Sequence, residues 1–193
     1  MKLQLKQYLD RYVPFTDDEI DIIFEKLSSN SIKKKAFLLN QGDVCHHKYF
    51  IIEGLVRLFN TDEKGNENIE FFAIENWWIT NLESFVNETS SLSSIQAIED
   101  TTVLCVTKDD LEDLYTQVPK LERVFRIITE NMFIAVHRKN EFYMKQNSSE
   151  RYYSMVNILP DFVQRVPQYM IASYLNISPE YLSEIRKQHV RFS

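Results

Sequence analysis

The sequence contains few of the residues from which several common kinds of site are built. Its three glycines, Gly42, Gly54 and Gly65, are too few for a glycine-rich phosphate-binding loop. Its two cysteines, Cys45 and Cys105, cannot supply a disulfide framework or a four-thiolate cluster. No apolar run approaches the length of a membrane span, and the N-terminal stretch lacks the apolar core of a signal peptide. We therefore expect a reduced, cytoplasmic protein with no membrane association.

The four histidines are poorly arranged for metal chemistry. His46 and His47 are adjacent, so on a strand their side chains point to opposite faces. A metalloenzyme built on a small β-barrel needs His-x-His, a following Glu and a later His, and the remaining histidines, His137 and His189, lie outside the strand-like region. We predict no metal site, no catalytic residues and no enzymatic activity.

Charge is distributed unevenly along the chain. The net charge of −6 is unusual for a protein that binds nucleic acid. From residue 137 onward, however, eight Lys and Arg stand against five Asp and Glu, a net +3 that leaves −9 for the preceding residues. The C-terminal segment is therefore the part whose charge favours DNA, although only modestly.

Most of the chain before residue 119 has the pattern of a small β domain flanked by helices. Thr16 and Glu19 predict a capping box at the start of a helix that runs to about Ser28. Strand-like segments follow from about residue 37 to 106, and in "NIEFFAI" the alternation predicts that Ile69, Phe71 and Ala73 face the core. A short helix, "KDDLEDLYTQVP", follows. Short strands bracketed by helices suggest an antiparallel barrel or sandwich.

Residues 121–144 predict one long amphipathic helix. Apolar residues recur there at three- and four-residue steps without an intervening Gly or Pro: Leu121, Val124, Phe125, Ile128, Met132 and Val136. The stripe either packs on the chain's own β domain or meets a second copy. Because the helix lies between a β domain and a C-terminal helical segment, we favour a homodimer formed through residues 121–144.

The stretch "QYMIASYLNISPEYLSEIRK" has the pattern of a helix-turn-helix. Asn176 tolerates the left-handed conformation that a sharp turn requires, Ser178 is a good N-cap, and Pro179 suits the first helical position. Five apolar residues wrap the two helices around a shared core, with the small Ala172 at the crossing: Ile171, Leu175, Ile177, Leu182 and Ile185. The alternative is a helical hairpin that serves only for packing.

The full order of segments resembles the Crp/Fnr superfamily of bacterial transcription regulators. "LNQGDVCHHKYFIIEGLVRLF" resembles the glycine-punctuated strands of a cyclic-nucleotide-binding β-roll, and "VPQYMIASYLNISPEYLSEIRK" resembles the helix-turn-helix of that superfamily. "ENWWIT" and the compact C-terminal domain look most like the Bacteroidetes-type branch. The resemblance implies an α+β fold: an antiparallel β-roll of jelly-roll type (1–118), a long dimerisation helix (119–146) and a winged-helix-like helix-turn-helix domain (147–193).

The sequence departs from the cyclic-nucleotide-binding members of that superfamily at the phosphate cassette. The Gly-Glu pair of the cassette aligns with Thr80-Asn81 and its Arg-Ser pair with Ser91-Leu92, so both the ribose-binding Glu and the phosphate-binding Arg are missing. A buried phosphate without a cation is costly, so we predict no cAMP response and no cofactor. A neutral effector has one candidate pocket, although the same aromatic side chains could simply fill the barrel: Trp77, Trp78, Thr80, Asn81, Phe85, Ser91 and Ser93.

For the C-terminal domain the resemblance implies double-stranded DNA as the partner, read in the major groove, and RNA polymerase as a further partner. The candidate DNA-contacting residues are Gln168, Tyr169, Ser178, Glu180, Tyr181, Ser183, Arg186 and Lys187. Pro179 and Glu184 occupy positions where many members carry a DNA-contacting Arg, which predicts weaker binding or a different operator. The alternative is a β-roll dimer whose degenerate helix-turn-helix serves as a ligand-sensing or protein-interaction module.

Overall fold

The computed structural model describes the backbone of residues 1–192 and the side chains of residues 1–187. Two helices come first, α1 (Lys2–Leu9) and α2 (Asp17–Glu25). The predicted capping box is confirmed: the Glu19 N–H donates to Thr16 Oγ1 at 3.3 Å, and the Thr16 N–H donates to Glu19 Oε2 at 2.7 Å. Helix α2 ends before the predicted Ser28, because Ser28 already pairs with Cys105 in a β-ladder.

In the described residues, eight antiparallel strands form two four-stranded sheets, which confirms the predicted β-roll. The strands are β1 (Ser28–Ile32), β2 (Phe37–Leu39), β3 (His47–Glu53), β4 (Val56–Thr61), β5 (Glu67–Ala73), β6 (Trp78–Ile79), β7 (Ser94–Ala97) and β8 (Thr101–Thr107). The first sheet has the order β1-β8-β3-β6 and the second sheet has the order β2-β7-β4-β5. Strand β5 therefore lies at an edge of the second sheet.

Helices cover the outer face of the first sheet. They are α1, α2, α3 (Leu82–Asn87), α4 (Lys108–Gln117) and the first part of α5 (Lys120–Lys145). The fully buried Phe50 of β3 packs between Tyr8 of α1, with ring centroids 5.0 Å apart, and Trp78 of β6, at 5.2 Å. Trp78 in turn lies 5.0 Å from the Phe125 ring of α5. Burial of these large aromatic rings anchors α5 to the roll.

The predicted long helix is confirmed, and its exposure to solvent changes along its length. Leu121, Val124 and Phe125 are buried in the core of the roll. Every residue from 129 to 138 is exposed, including Met132 and Val136 of the predicted stripe. The middle of α5 therefore packs against no other part of the described chain.

Among the described helices, none combines the length and the apolar character that a membrane span requires.

Four further helices complete the described chain: α6 (Ser148–Ile158), α7 (Pro160–Arg165), α8 (Gln168–Tyr174) and α9 (Pro179–Phe192). The described residues after α5 contain no strand. These helices share one apolar core with the second sheet, to which the roll contributes Leu55, Phe59, Ile69, Phe72 and Ile98. The β-roll is thus covered by helices on both outer faces.

Candidate nucleic-acid interface and effector region

Helices α8 and α9 form the predicted helix-turn-helix. Asn176 adopts the left-handed conformation with a φ of 55°, as the turn requires. The Ile177 N–H donates to the Ala172 carbonyl at 3.0 Å, which closes the end of α8. Ala172 is fully buried, as expected for a small residue where the two helices cross closely. The local sequence therefore predicted the turn correctly.

The core of this unit is also as predicted. Leu182 is 0% exposed and Ile185 is 1% exposed, so both α9 positions face inward. They pack with Ile171 of α8 and with Leu175, at the end of α8, in the cluster that continues onto the second sheet. Tyr153 of α6 supports α9 by donating its hydroxyl to the Ile185 carbonyl at 3.3 Å. The unit is packed well enough to hold α9 in one orientation.

Helix α9 begins with the predicted cap. Ser178 Oγ accepts the Tyr181 N–H at 3.2 Å, and Pro179 takes the first helical position. The pKa of Glu180 is lowered, because its carboxylate accepts its own backbone N–H and a hydrogen bond from the Ser178 hydroxyl. Glu180, which the sequence assigned to base reading, therefore also stabilises the helix N-terminus.

The outer face of α9 is open to solvent. Glu180, Glu184 and Lys187 are exposed at helical spacing and lie on one stripe. Tyr181 beside this stripe is 45% exposed, whereas Ser183 and Arg186 are partly buried. No described side chain forms an ion pair with Glu184. Among the described side chains, this outer face thus presents two acids and one cation, with an aromatic ring beside them.

The start of α8 adds two exposed side chains near the turn into that helix. Gln168 is exposed, and Tyr169 is 54% exposed. Ser178 at the start of α9 is exposed as well. Every candidate DNA-contacting residue is therefore at least partly accessible. This accessibility is what a helix-turn-helix needs if it is to enter a major groove.

Five of the seven candidate effector residues form two groups that do not contact each other among the described interactions, and Trp77 and Trp78 belong to neither group. The first contains Thr80 and Asn81, which organise α3. Thr80 Oγ1 donates to the His47 carbonyl at 3.0 Å, and Asn81 Oδ1 caps α3 by accepting the Ser84 N–H at 3.0 Å. Phe85 of α3 lies beneath the Lys48 ammonium, with Nζ 4.6 Å from the ring centroid.

Trp77 and Trp78 belong to different surroundings. Trp78 packs against Phe50 and Phe125 and lines a cavity of about 10 Å³ between the roll and its helices. That volume is at the lower limit for one water molecule. Trp77 is 39% exposed and packs against Phe71, with centroids 5.7 Å apart.

Ser91 and Ser93 form the second group, where the cassette Arg-Ser pair aligns. Ser91 Oγ donates to the Ser93 carbonyl at 2.6 Å and accepts the Ser93 N–H at 3.1 Å. Ser93 Oγ donates to Glu70 Oε1 at 2.7 Å. Both hydroxyls are therefore engaged, and the nearest charged partner is a carboxylate.

The structure also shows a buried cation that the sequence did not reveal. Arg57 of β4 is 3% exposed and donates to Glu67 Oε1 at 2.9 Å and to Gln96 Oε1 at 2.6 and 3.0 Å. Its guanidinium lies 3.9 Å from the centroid of the Phe59 ring. No periodicity in the sequence marks Arg57 as buried, so a sequence signal was lacking.

No group of three or more His, Cys, Asp and Glu side chains is placed to hold a metal ion in the described part of the chain. Both cysteines are buried, and burial raises the pKa of the Cys105 thiol to about 11. Cys105 is therefore protonated, and hence a weak nucleophile, at neutral pH.

Comparison with known proteins agrees with this architecture. Residues 29–118 match the family of cyclic nucleotide-binding domains. Over 106 residues, 55% of this chain, the sequence is 29% identical to the transcriptional activator protein Anr of Pseudomonas protegens. That alignment spans 42% of Anr, less than half of its length.

Two solved structures resemble the chain over most of its length. One is FixK2 from Bradyrhizobium japonicum, with a TM-score of 0.71, 17% identity, and coverage of 86% of this chain and 85% of that one. The other is the c-di-GMP-responsive global regulator CLP of Xanthomonas campestris, with a TM-score of 0.72, 12% identity, and coverage of 91% and 92%. The chain therefore has the fold of these proteins, in which a cyclic-nucleotide-binding-type roll is joined by a long helix to a C-terminal helical domain.

Proposed function

We propose that the chain is a dimeric DNA-binding transcription regulator of the Crp/Fnr type that does not respond to cAMP. The observation that carries the proposal is the helix-turn-helix of α8 and α9, whose core is buried while the outer face of α9 is exposed. The similarity to Anr, a transcriptional activator, supports the same function. The Bacteroidetes-type branch, a cytoplasmic location and contact with RNA polymerase remain finer parts of this proposal.

Exposure along α5 supports the dimer. Between residues 129 and 138 the helix exposes Phe133 (64%), Ile134 (46%) and Val136 (53%). An unpartnered helix is marginally stable in water, and adjacent exposed apolar side chains mark an interaction surface. A second copy of the same helix would cover both sides of the contact symmetrically.

Hydrogen bonding at the cassette position supports the lack of a cAMP response. A cyclic phosphate placed at Ser91 and Ser93 would have to displace hydrogen bonds that the two residues make with each other and with Glu70. Glu70 would repel the phosphate. Arg57, the buried cation of β4, is already bonded to Glu67 and Gln96.

A second candidate function follows from the charge of α9. Glu180 and Glu184 place two carboxylates on the stripe that would face DNA. That arrangement suits a protein-interaction module, in which α9 binds another protein instead of DNA. The two functions differ in salt dependence, because phosphate contacts release counterions and protein contacts of mixed charge do not.

Capture of sheared genomic DNA by the purified protein at two salt concentrations tests the proposal. We expect discrete fragments that share a two-fold symmetric motif, retained without nucleotide and lost at high salt. Lys187→Gln on the α9 stripe should weaken retention, whereas Lys64→Gln in the exposed β4–β5 turn removes the same charge and should not. Retention that appears only with added cAMP would contradict the proposed ligand independence. Uniform or absent capture, with or without cAMP, would favour the interaction module.

A further inference from the structure

The joint between α5 and the C-terminal helices is not helical. Gln146 has φ −113° and ψ 141°, and Asn147 has φ −73° and ψ 169°, so two consecutive residues are extended. Helix α6 then starts anew with a capping box between Asn147 and Glu150. Two extended residues do not fix the direction of α6 relative to α5. The orientation of α6–α9 must therefore be set by side-chain contacts. Tyr143 of α5 makes one of them, donating its hydroxyl to the Tyr174 carbonyl of α8 at 2.5 Å, and the roll supplies the others.

The first such contact is a guanidinium that bridges two carboxylates of the roll. Arg165, at the end of α7, donates to the two Glu75 oxygens at 2.8 and 3.0 Å and to Glu99 Oε2 at 2.7 Å and Oε1 at 3.1 Å. Glu75 follows β5, and Glu99 lies between β7 and β8. The three side chains are about one-third exposed. Paired hydrogen bonds of this kind fix angles as well as distances.

The second contact lies at the edge of the sheet. Ser173 Oγ of α8 donates to the Glu67 carbonyl at 2.8 Å and accepts the Ile69 N–H at 3.1 Å. These are backbone groups of the edge strand β5, where a further strand would otherwise pair. One side chain of the helix-turn-helix thus takes the place of a neighbouring strand at this point.

Apolar packing fills the space between these two contacts. Phe72 of β5 lies 5.1 Å from the Phe162 ring of α7 and 5.4 Å from the Tyr174 ring of α8. Burial of this kind stabilises docking but has little directional preference. The hydrogen bonds of Arg165 and Ser173 supply the directional contacts with the roll.

We propose that Arg165 and Ser173 are positioning residues that fix the direction of α9 relative to α5, and thereby the spacing of operator half-sites. The inference rests on the proposed function, since it requires a dimer that reads DNA with two copies of α9. In such a dimer the half-sites are about one helical turn apart. The spacing that is preferred depends on how rigidly each α9 is held.

A series of DNA duplexes with two half-sites at varied separation tests this inference. We expect the wild type to prefer one separation over those two base pairs longer or shorter by about tenfold. Arg165→Gln should reduce this preference to about twofold while retaining binding to a single half-site. Lys26→Gln is the matched control, because Lys26 also bridges two carboxylates, Asp110 and Asp113, but within the roll and its helices. The control should keep the wild-type preference.

If Arg165 only stabilised the fold, the dependence of DNA binding on half-site separation would be different. If Arg165→Gln lowers affinity by the same factor at every separation, or leaves the preference unchanged, the positioning role is wrong. Ser173→Ala, which removes one hydroxyl, provides the same test if Arg165→Gln does not fold. A wild type that binds no DNA would remove the proposed function, and the spacing inference with it.

Docking itself has a readout that does not depend on DNA. The Ile69 amide bonds to Ser173, so its hydrogen exchange reports separation of α8 from β5. We expect exchange at Ile69 to accelerate about tenfold in Arg165→Gln and to remain unchanged in Lys26→Gln. Unchanged exchange in Arg165→Gln would show that the bridge to Glu75 and Glu99 does not hold the domain.

Discussion

Gly54 and Thr101 approach so closely that a β-carbon on Gly54 would lie 2.4 Å from Thr101 Oγ1 and 2.8 Å from the Thr101 Cα. Gly54 also has a φ of 104°, a conformation that L side chains rarely adopt. Its N–H donates to Glu75 Oε1 at 3.0 Å. The turn after β3 therefore requires glycine twice over, for space and for conformation.

Gly54→Ala should consequently be strongly destabilising. We expect a loss of about 3 kcal/mol in the free energy of unfolding, from backbone strain together with the clash. Gly65→Ala is the control, because Gly65 has a φ of 83° but nothing within 4 Å of the added carbon. Gly65→Ala should lower the free energy of unfolding by about 1 kcal/mol. Urea denaturation measures both, and equal losses would show that the contact with Thr101 is relieved.

Acidification should weaken the bridge between Arg165 and Glu75. Burial alone would raise the pKa of Glu75, but hydrogen bonds from Arg165 and the Gly54 N–H lower it below its ordinary value of 4.5. A carboxyl of this kind stabilises the folded state above its ordinary pKa, and the contribution is lost as the pH falls through the folded value. Glu75→Gln should therefore be less stable than wild type at pH 7, and the difference should shrink as the pH falls below 4.5.

Urea denaturation across this pH range provides the measurement. Glu63→Gln in the exposed β4–β5 turn serves as the control and should follow the wild type throughout. A difference between Glu75→Gln and wild type that does not change with pH would indicate that the Glu75 charge makes no contribution.

The Lys48 ammonium is partly buried, which is unfavourable for a charge. Burial lowers its pKa, and its ammonium faces the rings of Phe85 and Phe125, at 4.6 and 5.9 Å. Lys48→Met keeps the apolar stem and removes the buried charge, so it should raise the free energy of unfolding at pH 7 by on the order of 1 kcal/mol. The advantage should shrink as the pH approaches the ordinary lysine pKa, where the wild type loses its charge in both states.

Lys64→Met, at an exposed turn position, is the control for Lys48→Met and should change stability by less than about 0.5 kcal/mol. Thermal and urea unfolding would measure both variants. A loss of stability in Lys48→Met would mean that the cation–π contacts with Phe85 and Phe125 outweigh the desolvation of the ammonium.

A charge change on the outer face of α9 should alter DNA binding in a defined direction. Glu184→Arg replaces an exposed acid by a cation that can reach a phosphate. We expect tighter binding at low salt and a log–log salt dependence that steepens by about one. Fluorescence anisotropy over a salt series measures the slope. Glu63→Arg, the same exchange in the β4–β5 turn, should leave it unaltered, and a common slope for both variants would place α9 away from the DNA.

The exposed part of α5 should decide the oligomeric state. Phe133→Glu inserts a charge where the proposed dimer buries an apolar ring, and we expect a monomer by light scattering. Glu141→Lys, an exposed polar position on the same helix, should leave the dimer intact. A wild-type monomer, or a dimer that survives Phe133→Glu, would contradict the proposed interface.

The sequence predicted individual helices and turns better than it predicted how they pack against each other. The capping box of Thr16 and Glu19, the left-handed Asn176 and the continuous helix after residue 120 each follow from a few neighbouring residues. For these elements the determining interactions lie within one or two helical turns, where sequence patterns are informative.

Strand β5 shows why the rest could not be predicted. Simple alternation placed Ile69, Phe71 and Ala73 on the buried face. In the structure Phe71 and Ala73 do pack in the core of the roll, but Ile69 packs with Phe72 in the cluster of the C-terminal helices. A register shift between Leu58 and Phe59 in the pairing of β4 with β5 separates Ile69 from Phe71. A one-residue shift moves side chains to the opposite face of a sheet. The C-terminal helices also bury the outer face, so both faces of β5 carry apolar residues without a simple period.

The edge of β5 that Ser173 covers has a consequence for synthesis on the ribosome. Residues up to 118, which form the roll, emerge first, but the groups that cover Phe72, Ile69 and the β5 edge lie between residues 162 and 185. At about 5 to 20 residues per second, roughly 3 to 13 s pass before that cover is complete. During this interval the nascent roll presents an unpaired strand edge beside an apolar surface, the combination most prone to intermolecular strand pairing. A chain cut after α5 would remain in that state permanently, so we expect the isolated roll to self-associate and the full chain to resist it.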